Sequence, residues 1–271
     1  MSLPRPKTTI CSLSFPADGV LLVTLTRAKE LNTIPNHGHE ELSRVWQWMD
    51  SSPQLLVGIF TGSGRAFCTV ADLREWNEAP TEKQGVLPPE GFCGISQRRG
   101  RKPIIAAVNG LAVGGRMEVL INCDMVICSP KAVLSLADVK VGLSLLGGTL
   151  PLLVQKIGRG HTVDMTLTGR NIMPEEALRW GLVDRLADDP VTEAVEVSKS
   201  IAANSPDAVW ATREGIFLGM SGKDSFEAGK EFQDKYWEPF LKKGQNVKEG
   251  IAAFLERRKP NWDLNWNKAK L

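Results

Sequence analysis

Hydrophobic positions divide the chain into a strand-rich first part and a helix-rich last part. Residues 9–15 and 20–26 predict two short strands, the second rich in β-branched and apolar residues. Continuous apolar runs at 55–60 and 104–108 are typical of strands that are buried on both faces. Between the strand at 20–26 and the run at 55–60, residues 38–50 predict a helix with one face in the core. Helical spacing connects Leu42, Val45, Trp46 and Met49 on that face.

The second half of the sequence is dominated by helical patterns. Short strands are expected in "DMVIC" and "AVLSL", and helices are expected at about 150–157, 160–168, 174–180, 191–203, 207–219, 224–242 and 247–258. Alternating strands and helices followed by helices alone indicate an α/β fold with a helical C-terminal extension. Residues 77–100 show no steady period, and we expect a mobile loop or a poorly formed helix there.

Composition excludes several classes of protein. The 271 residues contain 33 Lys and Arg against 31 Asp and Glu, so the net charge of +2 predicts no nucleic-acid binding by bulk attraction. No apolar stretch approaches the roughly 18 residues of a membrane span, and the first residues lack the apolar core of a signal peptide. Five cysteines without a CxxC pair favour buried core thiols over metal ligands, and the three histidines show no ligand spacing.

Two loops join a buried strand to a helix start through small residues. They are "TGSGRAFCTVADLREW" (61–76) and "NGLAVGGRMEVL" (109–120). The first N–H groups of a helix lack partners within the helix, so two such loops side by side can offer two donors to one oxygen. The alternative is that these glycines only turn the chain, because glycine-rich strand–helix turns are common. Neither the dinucleotide fingerprint GxGxxG, nor the phosphate loop, nor the GxSxG serine motif is present.

Four segments together resemble the crotonase superfamily, the enoyl-CoA hydratase/isomerase family. They are "LTRAKELNTI" (25–34), "TGSGRAFCTVADLREW", "KPIIAAVNGLAVGGRMEVLINCD" (102–124) and "LTGRNIMPEEALRWGLVDRL" (167–186), and the match extends over about 20–260. The resemblance implies an α/β, ClpP-like spiral of ββα turns with C-terminal helices that form a trimer, often doubled to a hexamer. We therefore expect a spiral core at 1–203 with the acyl-CoA site, a helical region at 204–260, and a flexible tail at 261–271 with a targeting signal.

The resemblance also implies a site for an acyl-CoA thioester. The thioester oxygen would lie between the backbone N–H groups of Ala71 and Gly115, with Glu118 and Asp138 as the two catalytic carboxylates. Contacts to the CoA portion are implied for Arg27, Lys29, Asp72 and Leu73, although for the two basic residues plain surface charge is the alternative. No separate cofactor or metal is implied, because CoA is part of the substrate.

This chain departs from the family pattern at four places. Val70 and Arg116 replace glycines, and "LSLLGGT" (143–149) replaces a glycine-rich turn. Asp138 replaces glutamate, which shortens the reach of the carboxylate by one methylene. These changes leave thioester binding expected but put a straight-chain enoyl substrate in doubt.

Several functions remain open from the sequence. Two retained carboxylates favour a hydratase or dehydratase, because one can act on water while the other exchanges a proton with carbon. The alternatives are an enoyl-CoA isomerase, a CoA-thioester hydrolase, and a CoA-binding scaffold without activity. The final residues Ala269, Lys270 and Leu271 differ by one small residue from the S-K-L peroxisomal signal, so we expect the import receptor as a partner and a peroxisomal, otherwise cytoplasmic, location. This ending is similar to that of fungal peroxisomal members of the family, some of which serve siderophore synthesis.

Overall fold

Two sheets form the centre of the molecule. The computed structural model describes residues 3–69, 78, 80, 87–145 and 148–265, and of Arg116 only the backbone. The ten strands of the described chain are β1 (Cys11–Ala17), β2 (Val20–Leu25), β3 (Val57–Gly62), β4 (Ala66–Cys68), β5 (Ile104–Val108), β6 (Leu111–Val113), β7 (Met125–Cys128), β8 (Val133–Ser135), β9 (Asn171–Ile172) and β10 (Arg185–Leu186). The larger sheet has the order β1-β2-β3-β5-β7-β10 and the smaller one β4-β6-β8-β9.

From β3 to β8, consecutive strands of the chain alternate between the two sheets. β3, β5 and β7 lie in the larger sheet, and each is followed directly by a strand of the smaller sheet, namely β4, β6 and β8. Within each sheet these strands pair in parallel. The chain therefore advances by one two-strand turn at a time, and this repeat is the ββα spiral that the resemblance predicts.

The central strands of the larger sheet are buried on both faces, as their apolar runs predict. Every residue of β3 and β5 is buried. Phe60 points into the main core with Trp46 and Met49 of the first helix, whereas Val57 and Ile59 pack on the opposite face with Ala194 and Val197. Alternate residues of one strand thus contribute to two separate cores, because successive side chains point to opposite sides of a sheet.

Eight α-helices surround and extend the sheets in the described residues. They are α1 (Asn36–Ser51), α2 (Arg116–Asn122), α3 (Thr149–Thr168), α4 (Pro174–Trp180), α5 (Pro190–Ala202), α6 (Pro206–Gly219), α7 (Ser225–Phe232) and α8 (Gln245–Leu255). Two predicted boundaries change. The helices expected at 150–157 and 160–168 form one element, broken only at Gly158, where φ is +76°. The helix expected at 224–242 becomes a π-helix over Gln233–Leu241, which includes Pro239.

Part of the segment predicted to be a mobile loop is tightly packed. Between residues 87 and 100 the regular structure is limited to a short 3₁₀ turn, Phe92–Gly94, as the lack of a steady period predicts. The turn is nevertheless buried against α1, where the indole N–H of Trp46 donates to the carbonyl oxygen of Cys93 at 3.0 Å. Ser43 of the same helix donates to Glu90 at 2.7 Å. The polar and glycine-rich composition therefore predicted too little packing for residues 90–96, whose order comes from contacts with a helix that is distant in sequence.

The C-terminal helices are joined to the core by a part-buried ion pair. Arg213 of α6 donates to the carboxylate of Asp124 at the start of β7 and to the carbonyl oxygen of Gly100 at 2.6 Å. Asp124 in turn accepts from the backbone N–H of Ile104 at 2.8 Å, so one carboxylate connects a helix and two strands. Among the helices in the described ranges, none has the length and apolar character needed to cross a membrane.

Candidate active site

Three parallel strand ends define one edge of the smaller sheet. β4, β6 and β8 are neighbours there, with Cys68 opposite Ala112 and Val113 opposite Ser135. Because neighbouring parallel strands end at the same edge, the segments that follow them lie side by side. Gly115 and Glu118 follow β6, and Asp138 follows β8. The structure thus brings three of the predicted site residues to one edge from different parts of the sequence.

Three predicted residues lie outside the described part of the chain. Ala71, Asp72 and Leu73 belong to the segment after β4, and the described chain ends at Thr69 before it resumes. Thr69 is held in place, since its backbone N–H and its hydroxyl both donate to the carbonyl oxygen of Leu31, at 3.2 and 3.0 Å. The first donor of the predicted oxyanion hole therefore stays a prediction.

The glycine pair after β6 turns the chain into the helix α2. Gly114 has a φ of +70°, and its N–H donates to the carbonyl oxygen of Ser135 at 2.8 Å, which ties the turn to β8. Gly115 is the N-cap residue, and its own N–H meets no acceptor within the described residues. A Cβ atom built on Gly115 would have no heavy atom within 4 Å. An unused N–H beside open space at a helix start has the properties of an oxyanion donor.

Glu118 sits in the first turn of α2, three residues after that donor. Its backbone N–H donates to the carbonyl oxygen of Gly115 at 3.1 Å, so one helical turn fixes the positions of both groups. The residue is only 5% exposed. Its place in the first turn puts Glu118 near the positive end of the helix dipole.

Asp138 occupies a different kind of backbone. It opens a 3₁₀ turn, Asp138–Val141, that begins three residues after β8. Its carbonyl oxygen accepts from the N–H of Leu143 at 3.0 Å, and the residue is half-buried. The neighbouring Val139 and Val141 are 40% and 58% exposed. Asp138 is therefore supported by a short turn at the molecular surface rather than by a buried helix.

The two basic residues that are predicted to contact CoA lie beside the end of β4. Arg27 and Lys29 follow β2, and Arg27 donates to the carbonyl oxygen of Thr33 at 3.2 Å, while Lys29 is exposed. The same segment accepts the two hydrogen bonds of Thr69 through Leu31. Both basic residues are thus close in the fold to the strand that leads to residue 71, which is the arrangement that a phosphate-bearing ligand in this loop would need.

Two asparagines that the sequence reading missed hold the turn before β4. Asn32 is fully buried and donates to the carbonyl oxygens of Ser63 and Ala66 at 2.9 and 2.7 Å. Asn109 donates to the carbonyl oxygen of Gly64 at 2.9 Å and accepts from the N–H of Gly62 at 3.3 Å. Asn32 also has a φ of +56°, a conformation that asparagine tolerates better than most residues. Both lie within quoted motifs, but their role depends on contacts across more than 30 residues of sequence.

The cysteines are core thiols, as the sequence predicts. All five are free and buried. Burial raises the pKa values of Cys11, Cys123 and Cys128 to about 12, so these thiols stay protonated and are poor nucleophiles near neutral pH. In the described ranges, no three His, Cys, Asp or Glu side chains come together as a metal site.

Comparisons with known proteins agree with the fold and show the family. The family model for enoyl-CoA hydratase/isomerase matches residues 16–265. A mevalonyl-coenzyme A hydratase of Aspergillus fumigatus is 40% identical over 93% of this chain and 94% of its own length. A second mevalonyl-coenzyme A hydratase, from Beauveria bassiana, is 39% identical over 92% of this chain and 93% of its own. The crystal structure of an enoyl-CoA hydratase from Mycobacterium tuberculosis superposes with a TM-score of 0.86 at 29% identity, covering 94% of this chain and 98% of that chain.

Proposed function

Since the chain belongs to the enoyl-CoA hydratase/isomerase family and is an acyl-CoA hydratase or dehydratase, we propose that it acts on mevalonyl-CoA. One observation supports this substrate above others. The relatives at 40% and 39% identity are both mevalonyl-CoA hydratases, and the likeness covers more than nine-tenths of both chains in each comparison. A branched, hydroxylated acyl group also suits the departures at Asp138 and at 143–149, which put a straight-chain enoyl substrate in doubt.

The proposed reaction removes water from the acyl group next to the thioester, or adds it in the reverse direction. A proton leaves C2, the bond between C3 and its hydroxyl oxygen breaks, and a double bond forms between C2 and C3. The electron pair from the C2–H bond passes through an enolate, whose oxygen accepts from the backbone N–H of Gly115 and, by resemblance, that of Ala71. The enolate is stabilised only after the proton has left, so these donors act mainly on the transition state.

Glu118 and Asp138 divide the proton transfers in this proposal. One carboxylate takes the proton from C2, and the other, protonated, gives a proton to the departing hydroxyl so that it leaves as water. The backbone segments that carry the two carboxylates suit this division, because they follow two neighbouring strands to the same sheet edge. Hydration runs the same steps backwards, and the protons balance without a metal or a separate cofactor.

A competition experiment tests the substrate. Mevalonyl-CoA is supplied for dehydration and crotonyl-CoA, which has a straight four-carbon chain, is supplied for hydration. The value of kcat/KM is measured for both thioesters in the same mixture. The proposal expects the branched hydroxylated thioester and its dehydrated product to be preferred. A clear preference for the straight chain would remove the substrate assignment while leaving the reaction class in place.

We also propose that several copies assemble through the C-terminal helices and the surface near Asp138. Large apolar side chains are exposed on both, including Phe226 at 80%, Phe254 at 83% and Leu255 at 74% on the helices and Leu167 at 69% on α3. Apolar patches of this kind on a single chain are typical of surfaces that a partner covers. A second copy is the occupant proposed here, and a trimer or hexamer is the expected state.

A further inference from the structure

A groove of about 1510 Å³ begins one helical turn beyond Glu118. Its walls are the end of α2, the start of α3 and the inner face of α6. Ile121, Leu152 and Phe217 contribute apolar surface, but Asn122, Gln155 and Thr212 contribute polar surface. A pocket for a simple fatty acyl chain needs no such polar lining, so the groove favours an acyl group that has a polar substituent.

Asn122 is the polar residue of this groove that lies nearest to Glu118 in sequence. Four residues separate the two, which places them on the same face of α2 and about 6 Å apart along its axis. The Asn122 side chain bends back toward Glu118, because its Nδ2 donates to the Glu118 carbonyl oxygen at 2.7 Å. Within the described chain no donor reaches the Oδ1 atom of Asn122, so this oxygen can accept a hydrogen bond from a ligand.

Thr149 lies behind Asn122 rather than in the groove. Its side chain is fully buried at the start of α3 and is not part of the groove lining. Its hydroxyl oxygen lies 3.5 Å from Asn122 Nδ2, a long distance for a hydrogen bond, so it accepts at most a weak one from this amide. With the Nδ2 atom turned toward Glu118 and Thr149, the Oδ1 atom is the part of the amide that is left for a ligand.

We propose that Asn122, oriented by Thr149, binds a hydroxyl group on the acyl portion, beyond the carbon that loses or gains water. This inference rests on the proposed function and deepens it, because the C5 hydroxyl of mevalonyl-CoA lies three bonds beyond C3. The substrate hydroxyl donates to Asn122 Oδ1. A substrate without this hydroxyl leaves the amide oxygen without its partner, and sites built in this way discriminate strongly against the analogue that lacks the group.

The test compares mevalonyl-CoA with its 5-deoxy analogue, 3-hydroxy-3-methylpentanoyl-CoA. The readout is the ratio of the two kcat/KM values for dehydration by the purified full chain. Asn122→Leu and Thr149→Val keep the approximate shape of each side chain and remove its hydrogen bonding. Asn122→Leu is expected to lower the ratio by about tenfold, because the wild-type preference depends on the bond to its amide oxygen. Thr149→Val should lower the ratio less, because it only loosens the orientation of Asn122.

The chain offers a matched control in Asn204. This residue lines the same groove, and its Nδ2 also donates to the carbonyl oxygen four residues earlier, that of Ser200, at 3.0 Å. It lies at the end of the α5 segment, away from the Glu118 helix, so Asn204→Leu should change the ratio by less than twofold. Thermal unfolding of each variant shows whether a lost activity is only a lost fold, and Thr149→Val serves if Asn122→Leu does not fold.

The outcomes separate the two proposals. If wild type dehydrates mevalonyl-CoA but both variants lower the two kcat/KM values equally, Asn122 and Thr149 have only a structural role and the subsite is wrong. If the Asn204 variant lowers the ratio as much as the Asn122 variant does, the discrimination is not located at this subsite. If wild type dehydrates neither thioester, the proposed function fails and the subsite fails with it.

Discussion

Two neighbouring segments at the same sheet edge supply the two carboxylates in opposite ways. Glu118 belongs to a buried helix, and the turn that places it also places the N–H group of Gly115. Asp138 belongs to a 3₁₀ turn next to exposed valines. Glu118 is fixed by the same turn as the proposed oxyanion donor, whereas Asp138 is supported by a turn at a surface that the chain leaves uncovered. We infer that Glu118 tolerates no change, while the setting of Asp138 is more adaptable.

The largest effect is expected for Glu118→Gln. The change keeps the shape of the side chain but removes a general acid or base, which typically costs about 10²–10⁴ in rate. We expect kcat to fall by at least the lower of these factors. Calorimetric binding of a non-reactive acyl-CoA analogue should persist, because binding depends on backbone N–H groups and basic residues elsewhere. Full activity in this variant would mean that the site is misplaced.

Asp138→Asn should also lower kcat, by at least about 10². The comparison becomes sharper with Asp138→Glu, which keeps the carboxylate and adds one methylene. This variant should retain clearly more activity than Asp138→Asn, whereas the shortening Glu118→Asp should behave like a full loss. Near-normal kcat in Asp138→Asn together with an inactive Glu118→Gln would contradict the two-acid account and favour a one-base isomerase.

The glycine pair allows a smaller and cleaner test. Gly115→Ala meets no steric contact and has a negative φ of −52°, so its stability should be close to that of wild type. The new methyl group stands beside the N–H donor, and we expect kcat/KM to fall by about tenfold. Gly114→Ala should mainly lower the stability. Its φ of +70° strains an alanine and costs roughly 1 kcal/mol or more. Denaturant unfolding and steady-state rates on both variants separate the two roles.

The last prediction concerns the mass of the assembly in solution rather than the reaction rate. If other copies cover the C-terminal helices and the surface near Asp138, light scattering at micromolar concentration should give three or six times the chain mass of 29.7 kDa. The double substitution Phe254→Ser with Leu255→Ser should weaken this assembly, since both side chains are exposed on α8. The substitution Lys248→Ser on the same helix is the control. A wild-type monomer would contradict the assembly proposal.

Much of the fold follows from local patterns, whereas the site depends on distant contacts. The apolar runs at 55–60 and 104–108 predicted doubly buried strands, because continuous burial has a simple signature. Gly158 could be seen as a helix boundary but not as a break within one helix, and the π-helix at Gln233–Leu241 has no comparable signature.

The site residues came from the resemblance rather than from periodicity. Glu118 and Asp138 reach one edge only because β6 and β8 pair in parallel, a fact of topology that no short window of sequence contains. Asn32 and Asn122 were missed for a related reason. Each acts through side-chain hydrogen bonds whose meaning depends on what the fold places opposite them.

The central claim is that both carboxylates are needed to add water to the acyl chain or to remove it. The most direct measurement incubates the dehydrated form of mevalonyl-CoA with the enzyme in water enriched in heavy oxygen and locates the label by fragmentation mass spectrometry. The account predicts one heavy oxygen on C3 of the intact CoA thioester, and loss of this labelling in both Glu118→Gln and Asp138→Asn. Heavy oxygen in a free carboxylic acid with release of CoA, or an unlabelled thioester with a moved double bond, would contradict it.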